Sequence, residues 1–372
     1  MSVIIHFCYF NFDYFMHLIL LFFLVFLIAL FSTFLWLQLA KKFLWIDRPN
    51  QRSSHVVPTP KSGGAGFVLG FTFFTLVLYV WQLITLNELL LCSVGLLMAL
   101  TGFIDDILNL SLGIRIGVQL FVSCAMVALL PILPTIPLFG NLEVSSVWIV
   151  VFVVIAMVWL VNLYNFMDGI DALAASEAIF FTLALAWFAL PAISASISLL
   201  ALGLAVALSG FIFFNLPPAR IFMGDLGSNY LGYVLGVLGL LGIINNIINI
   251  WTILVLLGVF IVDSSFTLVG RMRAGLVWYH AHCSHAYQHA ARNYASHGKV
   301  VVAVGVINIV WLLPLAWLTI LYPEAGLPIT LAAWMPLVML GRFCKLQQVQ
   351  NPTVETEFKI ANDSDSGRIK DE

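Results

Sequence analysis

Stretches of about 20 apolar residues return again and again along this chain of 372 residues. Each is long enough to cross a hydrocarbon layer about 30 Å thick as a helix. Water is absent from such a layer, so a crossing segment must satisfy its own backbone N–H and C=O groups, as a helix does. With 62% of residues hydrophobic and 9% charged, the chain has too little polar surface to fold as a water-soluble body. The fold class that follows is all-α, a polytopic integral membrane protein of about eleven transmembrane helices. The runs fall at about 18–40, 65–86, 89–104, 116–134, 147–164, 174–190, 196–214, 228–243, 250–269, 299–322 and 327–343. Residues 1–17 contain no Lys or Arg and the first run is too long for a cleaved leader, so it reads as a span with its N-terminus outside. Residues 1–343 form one polytopic domain, and 344–372 read as a polar, disordered cytoplasmic tail.

Eleven spans place 41–64, 105–115, 165–173, 215–227, 270–298 and the tail on one side. Those segments and their flanks hold all 16 Lys and Arg residues, and the opposite side has only Asp13, Glu88, Glu143 and Glu324. The positive-inside rule makes the basic side cytoplasmic, with the C-terminus inside. The five cysteines are scattered and form no CxxC or disulfide framework.

The chemistry gathers on that basic side. "GFIDDILNL" brings Asp105 and Asp106 to a span end. "NLYNFMDGIDALAAS" repeats polar side chains every third residue as Asn162, Asn165, Asp168 and Asp171. "NLPPARIFMGDLGSNYLG" adds Asp225. A lone aspartate at a span end is commonly a helix cap or a solvated loop residue. Carboxylates from three loops on one face repel one another unless a cation joins them, and their hard oxygens suit Mg²⁺ or Mn²⁺, which in turn draw phosphate oxygens. "RSSHVVPTPKSGGAGF" supplies anion donors in Arg52, His55 and Lys61 beside a glycine-rich turn; the same segment also fits a plain basic loop. "RMRAGLVWYHAHCSHAYQHAARNY" supplies Arg271 and Arg273 with His280, His282, His285 and His289. Phosphate binding or proton transfer suits this mixture better than zinc, for which HxxH lacks a committed third ligand. Asp263 is the acidic residue read as lying well inside a span, facing a polar pocket or paired with Arg271 or Arg273.

Taken in order from about residue 45 to 294, these segments resemble the polyprenyl-phosphate N-acetylhexosamine-1-phosphate transferases, the superfamily of MraY and WecA. The first and last look most like the bacterial branch that starts O-antigen or related surface glycans. The resemblance implies a Mg²⁺-dependent enzyme of the bacterial inner membrane, its site facing the cytoplasm. It would move a sugar phosphate from a UDP-N-acetylhexosamine to undecaprenyl phosphate and release UMP. It further implies that Asp105 and Asp106 bind metal or take a proton from the lipid phosphate, and that Asp225 is a metal ligand. By the same likeness Asn162, Asn165, Asp168 and Asp171 line the nucleotide-sugar pocket, Asn215 and Phe222 contact the uracil, and His282 and His285 stand near the diphosphate. Cys283 occupies a position where this branch is expected to carry Arg, and 274–277 is less charged than usual, so the donor sugar stays open. Membrane lipid is the expected surrounding, a homodimer is compatible, and no nucleic-acid partner is implied.

Two other classes fit less well. A secondary transporter would carry its ionisable residues near mid-span at discontinuous helices. A non-catalytic lipid-binding scaffold would need the basic loops but not the carboxylates in matching loops.

Overall fold

The computed structural model describes residues 12–49, 57–134, 146–190, 195–275 and 284–350. It is helical throughout, apart from two residues each at Ile46–Asp47 (β1) and Thr59–Pro60 (β2), which pair antiparallel. The helices are α1 (Phe12–Lys42), α2 (Ala65–Val80), α3 (Leu86–Leu108), α4 (Leu112–Leu129), α5 (Ser146–Met167), α6 (Leu173–Ala189), α7 (Ala195–Asn215), α8 (Gly224–Ile244), α9 (Ile250–Leu256), α10 (Gly258–Arg273), α11 (Ala286–Asn293), α12 (His297–Val306), α13 (Leu313–Leu321) and α14 (Gly326–Gln350). Each expected apolar run coincides with one of these or with a consecutive pair. Eight helical segments are long and apolar enough to cross a membrane; the bent pair α9–α10 makes a ninth, while α2 and α6 are apolar but shorter. This is a multi-span membrane protein.

Local chemistry explains where the helices stop. The second span was expected to reach 86, but α2 ends at Val80 because Gln82 turns into the left-handed region (φ 59°) and Thr85 begins the next helix. Thr85 and Glu88 cap one another's backbone N–H groups at the start of α3. Asn109, at φ 51°, ends α3 with its amide on the Asp105 carbonyl. The span expected at 250–269 is broken: α9 and α10 meet at 79° around Leu257. The indole N–H of Trp334 takes the Leu254 carbonyl at 3.0 Å, removing a helical acceptor just where the axis turns. Helix α14 runs to Gln350, past the boundary expected at 343, and residues 351–372 lie outside the described residues.

The axis of the bundle is α8, buried almost continuously from Leu226 to Leu235 and packed on α3 and α5. Outside this trio α1 packs on α2 and α7, and α6 on α7. Lipid tails are as apolar as leucine, so contacts inside such a bundle gain from close backbone approach. Any side chain at Gly102 of α3 would run into the carbonyl of Asp225, and one at Gly64 into the backbone of Gly227. The acidic N-terminus of α8 is thereby clamped between α3 and the turn that opens α2.

Glu177 of α6 lies inside the bundle alongside Asp263, contrary to the expectation that Asp263 stands alone there. It is fully buried and accepts a 2.6 Å hydrogen bond from the Asn308 amide, which projects from a π-helical turn, Ile307–Leu312, between α12 and α13.

The orientation read from the basic residues is directly testable. In a background free of native cysteines, a cysteine at exposed Asn87 should react with an impermeant maleimide added outside the cell, and one at exposed Ser111 only after permeabilisation. The reverse labelling would invert the topology.

Candidate active site

Four segments distant in sequence meet at the N-terminus of α8. Asp106, near the end of α3, is the junction. Its carboxylate accepts from the Ser62 hydroxyl (2.7 Å), the Asp225 amide (3.3 Å) and the Leu226 amide (3.3 Å), and Lys61 Nζ stands 3.8 Å away. Amides at a helix start have no intrahelical partners and attract negative charge, so this seat suits a carboxylate. The segment carrying Lys61 and Ser62 is also held through the backbone: Gly63 and Gly64 donate to the carbonyls of Phe222 and Met223, and the Phe222 amide donates to the Pro60 carbonyl. Gly224 sits at φ 74°, a conformation that a side chain would strain, and its position against Asp106 and Ser62 leaves no room for one.

Asp105, the other member of the pair, faces differently. It takes the Arg115 guanidinium at 3.0 Å and the Leu110 amide at 2.6 Å. The Asp225 carboxyl lies against that of Asp105 and is oriented by the Asn165 amide at 2.6 Å, which is itself 3.1 Å from the Ser228 hydroxyl. Asp168, on the turn between α5 and α6, completes the cluster. Burial, then the charges of Asp225, Asp106 and Asp171, push its carboxyl well above the ordinary carboxylate range. Like charges brought together in this way repel one another unless a cation joins them. Among the described residues no three His, Cys, Asp or Glu side chains enclose one. That donor set fits Mg²⁺, which typically takes one or two carboxylates and fills its octahedron with water and substrate phosphate.

The remaining expected residues divide into builders and bystanders. Asn162 donates its amide to Gln119 and to the Val158 carbonyl, tying α5 to α4. Asn215 donates to the Ile221 carbonyl (3.0 Å) and accepts from the Ala172 amide (2.9 Å), so it joins the 168–172 turn to the loop that carries Phe222. Asp171 accepts from the Ala219 amide at 3.1 Å and lies 3.2 Å from His297 Nδ1. His285 is buried, 3.6 Å from Asp263, with its ring near Phe166 and Tyr287. Asp263 takes the backbone N–H groups of Ala286 (2.8 Å) and Tyr287 (3.0 Å), seating the start of α11. Its partners are thus this helix start and His285 rather than the arginine considered from sequence. Tyr287 in turn donates its hydroxyl to the Phe166 carbonyl at 2.9 Å, and Gly169 lies under that hydroxyl. Arg271 and Arg273 stand at the end of α10, the latter exposed. Arg52, His55 and His282 lie outside the described residues. Ser62, Arg115, Tyr287 and His297 are site residues that sequence reasoning did not select, because their partners lie at spacings no short motif records.

Residues 88–243 match the model of glycosyl transferase family 4. Over 250 residues the chain is 26% identical to a Bacillus subtilis (strain 168) protein named "probable undecaprenyl-phosphate N-acetylglucosaminyl 1-phosphate transferase", covering 63% of this chain and 66% of that one. It is 29% identical over 196 residues to the undecaprenyl-phosphate alpha-N-acetylglucosaminyl 1-phosphate transferase of Thermotoga maritima, covering 53% and 56%. It is also 29% identical over 199 residues to the phospho-N-acetylmuramoyl-pentapeptide-transferase of a Wolbachia species from Drosophila simulans, covering 49% and 61%. Over these residues the chain is similar to members of the polyprenyl-phosphate N-acetylhexosamine-1-phosphate transferase superfamily. It spans less than two thirds of the length of each of these relatives.

The cluster's self-repulsion has a measurable sign. A group whose carboxyl is pushed up stabilises the fold below the ordinary carboxylate range and loses that contribution as pH rises through the raised value. In EDTA the melting temperature should therefore fall as pH rises from 5 to 8. Asp168→Asn should flatten that slope and melt about 2 °C above wild type at pH 8, roughly what 1 kcal/mol does in a large domain.

Proposed function

We propose that the protein transfers an N-acetylhexosamine-1-phosphate, or a related amino-sugar phosphate, from a UDP-sugar to undecaprenyl phosphate and releases UMP, initiating an O-antigen or similar surface glycan. The observation that carries this reading is the meeting of Asp105, Asp106, Asp168 and Asp225 at one end of the helical bundle, beside Lys61 and Arg115. The family and the names of the relatives point the same way.

Both substrates are anions, so the chief obstacle is their approach. Phosphoryl transfer is catalysed mainly by positioning and charge stabilisation. Mg²⁺, with Mn²⁺ as a substitute, would be held by Asp225 with Asp105 or Asp106 and would neutralise diphosphate oxygens when bound. Asn165 fixes the Asp225 carboxylate toward that position. Asp106, seated on the α8 amides and near Lys61, keeps the α2 and α8 termini together. An oxygen of the lipid phosphate attacks the sugar-linked phosphorus; the bond from that phosphorus to the bridging oxygen breaks, and UMP leaves with that oxygen. The donor would lie over the 165–171 turn and the loop bearing Phe222.

A place for the lipid tail lies alongside. Helices α10, α11, α12 and α14 enclose a cavity of about 570 Å³, walled by Val262, Phe266, Val300 and Val304, with exposed Lys299 and Arg342 at its rim. Its wall shares Asp263 and Tyr287 with the site, so an anionic lipid entering from the bilayer would have an apolar path ending beside the carboxylates. The active site would face the cytoplasm of the bacterial inner membrane, where nucleotide sugars are found.

Purified protein given undecaprenyl phosphate, Mg²⁺ and a panel of UDP-sugars should release UMP with one of them and form a lipid diphosphate sugar. Release of UDP would mean that the bond at the anomeric carbon is cut instead. EDTA should abolish turnover, and Asp225→Asn, Asp105→Asn or Asp106→Asn should lower kcat at least about a hundredfold while leaving expression normal.

A further inference from the structure

The seam between α6 and the broken helix α12–α13 is fastened by two polar contacts in a bundle that is otherwise apolar there. At its outer end His297, the first residue of α12, places Nδ1 3.2 Å from Asp171 Oδ2 and 3.4 Å from the Asp171 amide. Deeper, Asn308 holds Glu177 at 2.6 Å from a π-helical turn. A π turn adds a residue to the coil and shifts the side chains that follow, and such turns gather at functional positions. A buried carboxylate is expensive in a membrane, and among the described residues Glu177 is partnered by the Asn308 amide rather than by a cation.

We propose that His297 is a positioning residue for the donor-binding turn, acting through Asp171, with Glu177–Asn308 as the anchor that sets the height and rotation of α12. This rests on reading residues 165–171 as the donor-binding turn. Asp171 is the point where three elements converge: the turn itself, the 216–222 loop through the Ala219 amide, and α12 through His297. One residue further on, Ala172 sits at φ 63° with its amide on Asn215. The turn therefore has little freedom of its own. Asp168, three residues before Asp171, faces the metal-binding carboxylates, and Phe222 leaves the loop that Asp171 tethers. Removing the imidazole frees one side of the Asp171 carboxylate without touching the metal-binding residues. The effect should then fall on the donor rather than on the lipid acceptor.

The test is steady-state kinetics of His297→Ala, His297→Gln, Asp171→Asn and the double variant His297→Ala/Asp171→Asn, with UDP-sugar and undecaprenyl phosphate varied separately. His297→Ala should raise KM for the UDP-sugar about tenfold, leave KM for the lipid within twofold, and leave the melting temperature near wild type. His297→Gln keeps an amide that can accept from the Asp171 N–H and donate to the Asp171 carboxylate, and should recover most of the loss. The double variant should be no worse than Asp171→Asn alone, because the two act as one unit. Glu177→Leu, which breaks the deeper contact, should reproduce the donor-selective KM change, and Glu177→Gln, which keeps an amide partner for Asn308, should not. Additive losses in the double variant, or an equal rise in both KM values with a lowered melting temperature, would overturn the proposal in favour of a packing role. No UMP from the wild type would bring down the proposed reaction and this inference together, whereas wild-type turnover with additive losses brings down the inference alone.

Discussion

The carboxylate of Asp106 on the first amides of α8 is the contact on which the rest of the site depends. A helix start inside a membrane protein leaves N–H groups that neither lipid nor the helix itself can satisfy. Asp106 satisfies two of them and simultaneously holds the Ser62 hydroxyl. Three segments, 44 and 119 residues apart along the chain, are thereby fixed to one another by one side chain. Asp225 belongs to the same helix start, so the residue proposed to hold a cation is positioned by the one that organises the backbone around it.

The resulting charge distribution is lopsided. Arg115 and Lys61 each stand beside one carboxylate of the Asp105–Asp106 pair, and the Asn165 amide orients Asp225. The carboxyl of Asp168 is raised by its burial first and then by the charges of three other carboxylates around it. A site built to welcome a divalent cation carrying phosphate oxygens would be expected to leave such an imbalance in the protein alone. The order of neighbours also divides the carboxylates: Asp105 and Asp106 each have a basic side chain beside them, whereas Asp168 is surrounded by other carboxylates.

Much of this was legible in the sequence and some was not, for identifiable reasons. Apolar runs announce helices in a bilayer because the backbone has few alternatives there, and all the expected runs appear as helical segments. The carboxylates were legible because acidic residues at span ends are rare and conspicuous in so apolar a chain. The break at Leu257 was not, since it arises from Trp334, almost eighty residues away, taking a carbonyl. Asn162 and Asn215 carry the same amide as Asn165, and nothing in their spacing tells which faces the carboxylates and which braces a neighbouring helix or loop. Glu177 was overlooked in the run 174–190 because one acidic residue scarcely alters its average hydropathy, while its partner Asn308 lies on another span.

The tight meeting of Gly64, Gly102 and Gly227 around the start of α8 has a consequence for how such a protein can diversify. Backbone touches backbone there, so no residue larger than glycine can enter without displacing the carboxylates. A substitution that alters what the proposed site accepts would therefore have to fall outside this contact, at positions joined through side chains, such as Asn162 against Gln119 or Asn215 against the Ile221 carbonyl. The tightly closed centre and the edge that can be reshaped are in this way separate pieces of the fold.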